Sequence, residues 1–475
     1  MKWLFLINDA QFLSEFLGKF SEEVIKNNDS CLVVFNSKIA EYGRKKFFPD
    51  GVKFISKIDW CINNYKPEKT DFGTLSWKDT FPVFERFKGF NLSYKEAIKI
   101  TSHLFQFFEY IFEKEKPDII IGEAPADLFH LIAYYFCVKN KVKYLGIEES
   151  KFNGKMDVYD NKHICSKYEE TFQCLKNEEI SLREKDFAQK FIKQFISHEL
   201  LPGHTDFYGI RFSQPGVLVH YVKRLKQSGS VLLKYLIKRR KYKNFDYESE
   251  TIIKNAMKAP FDMEKRQIKI FCQKNIFNKL SNSDDKFFLF PLHFQPESST
   301  SVYATYYYDQ LSTVRNIAFC LPLPYKLYVK EHPASVGLRP GSFYRKLEKI
   351  PNVVLLSPYE NVQKIIGKAA GVITLTGTIG MESSLLGKPT YVLGTTLYYH
   401  HPACRKIKGF TDLKERIESD LSSGFSINNL EDINNRFIVS YFRNTIDGSI
   451  VSVGLGRDVN NYSAIYKKLK EFPWT

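Results

Sequence analysis

Four short apolar runs in the second half of this chain each end beside residues that can bind or react. The runs span residues 287–292, 325–330, 371–375 and 389–393, and the motifs near their ends include Gln295-Pro296-Glu297, His332-Pro333 and Thr376-Gly377-Thr378. Short apolar runs that stop at polar or glycine-bearing residues are typical of buried parallel strands. An open α/β sheet places its ligand at the carboxyl ends of such strands. The pattern therefore predicts a binding site at one edge of a sheet.

Two of these motifs suit an anionic ligand. His332 precedes a proline that disfavours helix, so its side chain can donate to a phosphate, or it can simply cap its strand. Thr376-Gly377-Thr378 offers backbone N–H groups and hydroxyls at a helix N-terminus, where the helix dipole favours an anion. Glu382 and Ser383 follow in the first turn. Glu382 is a candidate ribose-binding carboxylate, or both residues belong to ordinary helix-start chemistry.

Carboxylates at strand ends supply candidates for acid–base work. Gln295 and Glu297 lie two residues apart in a loop and can face the same cleft. Glu123 and the pair Glu148-Glu149 end strands predicted in the first part of the chain, where a carboxylate can act as base or nucleophile. Alternation along a strand lets only one of the pair reach a given cleft. Each is otherwise an ordinary surface acid, and no HExxH, DxD or GxSxG motif supports metal or serine-hydrolase chemistry.

Length and composition bound the class of protein. At 475 residues the chain is too long for one ordinary core, so two domains are expected. The 44% of hydrophobic and 26% of charged residues are typical of a folded globular protein. The sequence has no run of about 18 consecutive apolar residues, so no transmembrane helix is predicted. The eight cysteines form no CxxC pair, which indicates free thiols in a reducing compartment rather than a zinc site.

The net charge of +16 predicts an anionic partner: a membrane surface, a nucleic acid or a charged sugar polymer. Much of the charge lies in a predicted helix at residues 217–243, which includes Lys238, Arg239, Arg240 and Lys241. This helix is either a solvated face or, because apolar residues alternate with the charges, a patch that docks on a membrane surface.

Alternating strand and helix patterns predict parallel sheets covered by helices on both faces. In the first part, strands are predicted at residues 2–7, 31–35, 52–55, 119–121 and 142–147, with helices at residues 12–26, 97–116 and 128–139. Further helices are predicted at residues 186–196, 217–243, 250–275 and 462–471. The chain is thus divided into α/β units at residues 1–175 and 286–445, a helical basic segment at 176–285 and a helical tail at 446–475.

The motifs in the second unit, taken together, resemble the bacterial capsule polysaccharide biosynthesis family, which includes the β-Kdo glycosyltransferases. That family is recognised by a Gln-x-Glu motif followed by a His-Pro motif, present here as Gln295-Pro296-Glu297 and His332-Pro333. The run from Thr376 to Glu382 and the triplet Gly387-Lys388-Pro389 add to the resemblance. The similarity covers roughly residues 286–400, and the first domain matches only in general layout.

The resemblance implies a GT-B-like α/β fold, with two Rossmann-like domains facing a cleft and a helical basic insertion. Residues 1–175 would form the acceptor-side domain, 176–285 would complete or decorate it, 286–445 would bind the nucleotide sugar, and 446–475 would pack across the domains. The expected donor-binding residues are Gln295, Lys330, His332, Pro333, Thr376, Gly377, Thr378, Glu382 and Ser383. The resemblance also implies a CMP-activated sugar as donor. This donor is a substrate, so no cofactor is expected, and a GT-B site can act without a metal.

The resemblance also assigns catalytic roles. In the Kdo members, a strand-end loop of the first domain supplies an acidic residue, a role that falls here to Glu149 or Glu148, with Glu123 as the next candidate. Glu297 would act from the opposite wall. This chain departs from the family's usual acid-glycine pair and following arginine, because it reads Glu149-Ser150-Lys151-Phe152.

The function implied is transfer of a Kdo-like keto-sugar from a CMP-activated donor to a glycan or glycolipid acceptor, in the synthesis of capsule or surface polysaccharide. The expected partners are this donor and acceptor and an anionic membrane, with no nucleic acid, and the expected location is the cytoplasm at the inner face of the cell membrane. One alternative is a transferase that uses a CDP-glycerol-type or other nucleotide donor. The other is a non-catalytic binding protein of polysaccharide assembly.

Overall fold

The computed structural model describes residues 1–86, 92–160, 166–197, 216–273, 276–277 and 284–472. The chain forms two compact units. The first comprises Met1–Ser166, Leu201–Met257 and Asn444–Thr475, and the second comprises Lys167–Leu200 and Lys258–Arg443.

The described strands are β1 (Lys2–Ile7), β2 (Ser30–Phe35), β3 (Lys53–Ser56), β4 (Ile119–Gly122), β5 (Lys143–Glu149), β6 (Lys155–Tyr159), β7 (Phe287–Pro291), β8 (Lys326–Lys330), β9 (Val353–Leu356), β10 (Gly371–Thr374), β11 (Thr390–Val392), β12 (Cys404–Lys406) and β13 (Ile446–Asp447).

The described α-helices of the first half are α1 (Gln11–Lys26), α2 (Lys38–Arg44), α3 (Lys57–Asn64), α4 (Trp77–Arg86), α5 (Tyr94–Tyr110), α6 (Leu128–Asn140), α7 (Ser166–Leu175), α8 (Leu182–Ile196), α9 (Gly216–Tyr242) and α10 (Tyr247–Cys272). Those of the second half are α11 (Ser298–Ser301), α12 (Gln310–Cys320), α13 (Gly341–Glu348), α14 (Val362–Lys368), α15 (Thr378–Leu385), α16 (Phe410–Ser423), α17 (Leu430–Arg443) and α18 (Tyr462–Glu471). No helix in the described part of the chain is long and apolar enough to cross a membrane.

Each unit is built on a sheet whose central strands are apolar and buried. The first sheet has the order β13-β6-β5-β4-β1-β2-β3 and the second β12-β11-β10-β7-β8-β9. In both, the strand order reverses beside the first strand, between β1 and β4 and between β7 and β10, which is the arrangement of a Rossmann-like sheet. The predicted α/β class with two Rossmann-like units is therefore confirmed, whereas a cleft between them stays a prediction.

The predicted all-parallel arrangement is wrong at one edge of the first sheet. β5 pairs antiparallel with β6, and β6 pairs antiparallel with β13. The turn between β5 and β6 is only five residues long, too short for the crossover that parallel strands require. The strands β6, β9, β12 and β13 are not predicted, because strands of two to five residues carry too little periodicity to be recognised.

The units also differ from the predicted domain boundaries. The segment 176–285 is divided, because α8 packs against α17, where Arg443 pairs with Glu184 at 2.8 Å, and so belongs to the second unit. The tail from Asn444 belongs to the first unit because β13 extends its sheet and α18 packs on α1.

One carboxylate ties the tail to the first strand. Asp29 accepts hydrogen bonds from the N-terminal amine of Met1 (2.7 Å), Trp3 Nε1 (3.0 Å), Tyr466 OH (2.6 Å) and Lys470 Nζ (3.1 Å). Burial opposes ionisation of Asp29, but these hydrogen bonds outweigh it and hold the pKa of the carboxyl well below its ordinary range. Trp3 lies in β1, and Tyr466 and Lys470 lie in α18, so the carboxylate joins the first strand to the helix of the tail.

Replacing Asp29 by alanine is expected to lower the free energy of unfolding by about 3 kcal/mol, because Trp3 and Tyr466 lose their acceptor. Urea denaturation at pH 7 measures the change, with the exposed Asp50→Ala as the matched control. The folded pKa of Asp29 is depressed, so its contribution is present at neutral pH and is lost as the pH falls below about 4. Equal stability of the two variants at pH 7 would contradict this role.

Candidate functional site

The reversal point of the second sheet is closed by a buried histidine. His293 follows β7, and its Nε2 accepts a hydrogen bond from the backbone N–H of Thr376, which follows β10, at 3.2 Å. Burial, together with the charges of His332 and Arg339, lowers the pKa of His293 to about 3. The neutral ring is thus an acceptor at neutral pH. It fixes the loop after β10 to the end of β7.

Glycines let the loop after β10 approach this histidine. A Cβ atom on Gly377 would lie 3.1 Å from His293 Nε2, and one on Gly380 would overlap the hydroxyl of Tyr398. That hydroxyl donates to the carbonyl of Gly377 at 2.7 Å. The predicted motif thus has a packing role as well as a position at a helix N-terminus.

His332 presents one ring nitrogen to solvent. Its Nδ1 accepts a hydrogen bond from the backbone N–H of Ala334 at 3.1 Å, so the neutral ring carries its proton on Nε2. Partial burial of the ring, with the positive charges of Lys330 and Arg339, lowers the pKa of His332 to about 4. His332 is exposed, and Nε2 makes no hydrogen bond to any described residue. It can therefore donate to a ligand at neutral pH without carrying charge.

The neighbours of His332 are less available. Lys330 is buried and its Nζ donates to the carbonyl of Pro358 at 2.7 Å, while burial lowers its pKa. Pro333 is the first residue of a short 3₁₀ turn that His332 begins. Lys330 and Pro333 therefore shape the loop. Of these three predicted donor-binding residues, His332 alone directs an unbonded polar atom outward.

Arg339 connects two strand ends and is not among the predicted site residues. Its guanidinium donates to the carbonyl of His293 at 2.6 Å and to Gln295 Oε1 at 3.4 Å, and it pairs with Glu331 at 3.1 Å. Glu331 is buried, and it also accepts hydrogen bonds from Tyr344 OH (2.7 Å) and the N–H of His332 (2.6 Å). Burial raises the pKa of Glu331, and Arg339 opposes that rise.

The Gln-x-Glu motif lies in the loop after β7. The Gln295 amide donates to the carbonyl of Tyr308 at 2.8 Å, so it fixes the loop as well as facing Arg339. Glu297 is exposed and begins α11, where Ser299 Oγ donates to its carboxylate at 2.6 Å. Glu297 is therefore accessible to a ligand, whereas Gln295 is partly engaged.

At the start of α15 the predicted residues differ in exposure. Thr378 is exposed at the first position of the helix. Glu382 and Ser383 are buried, and Ser383 Oγ accepts a hydrogen bond from Thr390 of β11 at 2.8 Å. The helix N-terminus is thus available through Thr378, while Ser383 joins the helix to the sheet.

In the first unit, Glu148 and Glu149 lie in the β5–β6 hairpin. Glu148 is opposite Asp157 of β6. The carboxylate of Glu149 accepts a hydrogen bond from the backbone N–H of Ile450 in the tail at 2.9 Å. Burial raises the pKa of Glu149, and hydrogen bonds from Ser449, Ile450 and Val451 oppose the rise. Glu149 therefore already has a structural partner.

Glu123 lies at the reversal point of the first sheet. Its Oε2 accepts a hydrogen bond from Asn8 Nδ2 at 2.7 Å, which joins the ends of β4 and β1. The structure also places there a set of charged residues that belong to no motif of the sequence: Asp9, Lys57, Asp127, His130, Asp246 and Glu248. Their spacing across 240 residues leaves no local motif by which to find them.

The part of the chain that the structure describes offers no set of ligands for a metal ion. No group of three or more His, Cys, Asp or Glu side chains there could hold a metal ion. The described cysteines are free thiols.

A cavity of about 610 Å³ lies at the opposite, amino-terminal edge of the second sheet, lined by Lys388, Pro389 and Leu430 among others. It is remote from the strand-end motifs.

The chain is an α/β protein with predicted site residues gathered at the carboxyl edge of a Rossmann-like sheet. Residues 221–416 match the profile of the family described as "Capsule polysaccharide biosynthesis protein". The resemblance drawn from the motifs is therefore confirmed over that segment. No curated protein matches the chain by sequence.

Solved structures match the chain only distantly. The β-Kdo 2,7 transferase KpsC of Thermosulfurimonas dismutans is 13% identical, covering 72% of this chain and 86% of its own, with a TM-score of 0.31. The β-Kdo 2,4 transferase of the same organism is 11% identical, covering 70% and 93%, with a TM-score of 0.32. The UDP-GlcNAc 2-epimerase of Neisseria meningitidis is 12% identical, covering 94% and 100%, with a TM-score of 0.25. Similarity at this level is too low to transfer a substrate.

Replacing Arg339 by lysine is expected to lower the free energy of unfolding by about 3 kcal/mol. Lysine retains the charge but cannot reach His293, Gln295 and Glu331 together, so the buried Glu331 loses part of its compensation. Differential scanning calorimetry with Arg345→Lys as control measures the effect, since Arg345 is exposed. Unchanged unfolding of the Arg339 variant would show that the guanidinium does not hold the strand ends.

Proposed function

We propose that this chain is a metal-independent GT-B glycosyltransferase of capsule or surface polysaccharide synthesis. The second unit binds a CMP-activated, Kdo-like keto-sugar, and the first unit binds a glycan or glycolipid acceptor. The observation that carries the proposal is the neutral His332, whose Nε2–H faces solvent at the carboxyl edge of a sheet with Rossmann order. The match to the capsule polysaccharide family supports it.

The chemistry of the leaving group suits this edge. When the sugar is transferred, the bond from its anomeric carbon to the phosphate breaks and CMP leaves with added negative charge on the phosphate. His332 Nε2–H and the N–H groups at the start of α15, beside Thr378, are donors that can stabilise this charge. A neutral donor gains strength as charge develops, so it favours the transition state over the ground state. The predicted roles of Gln295, Glu297 and the remaining donor residues belong to the same proposal.

Two further candidates differ in the donor or in the chemistry. A CDP-glycerol-type transferase would use the same His-Pro position with another nucleotide. A non-catalytic binding protein would hold polymer or lipid without turnover, and Glu149, engaged with the tail, is the observation that favours it.

A nucleotide panel separates these candidates. Thermal melting with CMP, CDP, UDP and ADP is expected to show the largest stabilisation by CMP, because a ligand that binds only the folded state raises the melting temperature by mass action. Release of CMP from a CMP-activated keto-sugar on addition of acceptor then tests turnover. Preference for CDP would favour the glycerol-type donor, and CMP binding without release would favour the binding protein.

His332→Ala is expected to weaken CMP binding and to lower turnover by about ten- to a thousandfold, the scale of losing one electrostatic donor. His332→Gln is the matched control, because its amide retains a donor near the position of Nε2 and should recover part of the rate. Isothermal titration and the CMP-release assay measure both. An alanine variant with unchanged affinity and rate would remove His332 from the site.

Contact with an anionic membrane surface is proposed for α9. Its exposed apolar residues Leu233, Leu236 and Ile237 lie among charges, while Tyr235 is buried and packs with Ile58 and Ile253. Of the four basic residues predicted to bind, Arg239 is engaged, because it forms two hydrogen bonds with Glu250 at 2.8 and 2.6 Å. The residues left exposed for lipid headgroups are Lys234, Lys238, Arg240 and Lys241.

The triple variant Lys238→Ala, Arg240→Ala, Lys241→Ala is expected to bind anionic vesicles roughly 100-fold more weakly, because each basic residue near such a surface contributes about 1 kcal/mol. Flotation with phosphatidylglycerol–phosphatidylcholine vesicles at moderate salt measures binding. The charge-matched control is Lys346→Ala, Lys349→Ala, Lys414→Ala, which removes three exposed cations elsewhere. Equal flotation of the two variants would exclude α9 as the docking surface.

A further inference from the structure

The second half of α10 carries an arginine that donates twice into the loop begun by His332. Arg266 Nε donates to the carbonyl of Val336, and its Nη2 donates to the carbonyl of Ala334, each at 2.9 Å. The arginine and the loop belong to the same compact unit. A guanidinium presents its N–H groups in a rigid fork, so the two carbonyls that it binds are held at a fixed spacing. The turn that follows His332 is therefore tied to α10.

Close packing against the same helix continues along the loop. Gly337 has a φ of +76°, and a Cβ atom there would lie 2.7 Å from Ile270 Cγ1 and 2.8 Å from the carbonyl oxygen of Arg266. Only glycine therefore meets both the backbone conformation and the close approach. Gln273 is buried and lies two turns beyond Arg266 on the same face of the helix, where its Nε2 donates to the carbonyl of Arg339 at 2.9 Å. One helix face thus holds the loop from residue 334 to residue 339.

The ring of His332 is fixed by the turn that Arg266 holds. His332 Nδ1 accepts a hydrogen bond from the backbone N–H of Ala334 at 3.1 Å, and the carbonyl of His332 accepts one from the N–H of Ser335 at 2.8 Å. Ala334 therefore has its N–H on the imidazole ring and its carbonyl on Arg266. A shift of Ala334 would turn the ring or release it, and Nε2–H would then point elsewhere.

The protonation state of His332 also depends on where its ring is held. Partial burial, with the positive charges of Lys330 and Arg339, lowers the pKa of His332 to about 4. The carboxylate of Glu331 accepts a hydrogen bond from the backbone N–H of His332 at 2.6 Å and pairs with Arg339. If the turn were released, water would reach the ring, and its pKa would rise toward the ordinary value of about 6.5. The ring would then be partly protonated near neutral pH.

From these contacts we infer that Arg266 is a positioning residue, which holds the turn at Ala334 and thereby keeps Nε2–H of His332 directed at the phosphate of the nucleotide donor. The inference rests on the proposed function for the identity of the ligand. Arg266 acts through His332, since its own guanidinium is engaged by two backbone carbonyls. Precise placement matters because an error of about 1 Å, caused by a change far from the reacting atoms, can lower a rate about a hundredfold.

The first test is a magnetic resonance titration of the full-length protein with isotopically labelled imidazole nitrogens, in which the His332 signal is identified by its loss in His332→Gln. In the wild-type protein the pKa of His332 is about 4, so the ring should stay neutral at mildly acidic pH. In Arg266→Ala its pKa should rise toward about 6.5. The control is Lys265→Ala, which removes a charge from an exposed neighbouring position of the same helix and should leave the titration unchanged. An Arg266→Ala protein with the wild-type titration would overturn the inference.

A double-mutant cycle separates positioning of His332 from general support of the fold. Arg266→Ala should lower CMP affinity and turnover by about tenfold, and Arg266→Lys, which retains the charge and a donor, should recover part of both. In a His332→Ala background the loss of Arg266 should cost nothing further, because residues that act through one contact are not additive.

An equal loss in both backgrounds would show that Arg266 does not act through His332 and would overturn the inference. If Arg266→Ala does not fold, as judged by circular dichroism, the cycle and the titration are carried out with Arg266→Lys, for which smaller changes in the same directions are expected. Failure of the wild-type protein to bind any nucleotide would overturn the proposed function, whereas the titration of His332 would still decide the role of Arg266.

Discussion

The hydrogen bond from Thr376 N–H to His293 Nε2 joins the two strands between which the second sheet reverses its order. It requires a neutral imidazole, and burial with the neighbouring positive charge of Arg339 provides one by lowering the pKa of His293. A protonated ring would offer an N–H where Thr376 already donates. The positive charge of Arg339 can therefore lie beside this ring, and the guanidinium in turn compensates the buried Glu331. The loop that carries His332 depends on this arrangement.

The two units carry side chains of different charge at the points where their strand order reverses. In both, polar groups collect where the strand order reverses, because parallel strands end there and leave backbone groups to be satisfied. The second unit uses a neutral histidine and an arginine. In the first unit, the side-chain amide of Asn8 donates to Glu123, and the carboxyl groups of Asp9 and Glu248 lie nearby. The reversal point of the second unit therefore carries a guanidinium beside a neutral imidazole, and that of the first unit carries carboxyl groups.

The sequence predicts the elements well where they are long and apolar, and poorly where they are short. β1 and α18 have the predicted bounds, because a continuous apolar run and a clear helical period leave little choice. The hairpin of β5 and β6 is different. Its turn at Ser150 and Lys151 looks like a strand end facing a ligand, but β6 turns back antiparallel on β5 and pairs with the distant β13. Local pattern cannot reveal a partner 290 residues away.

The same limit applies to the site. The sequence singles out His332 and Thr378 because each lies within four residues of the end of a strand, and the structure leaves both exposed. Lys330 and Ser383 share the motifs but face inward, which depends on packing against Pro358 and Thr390 rather than on spacing. Arg339 carries no motif, because a guanidinium can reach two strand ends from many positions in a loop.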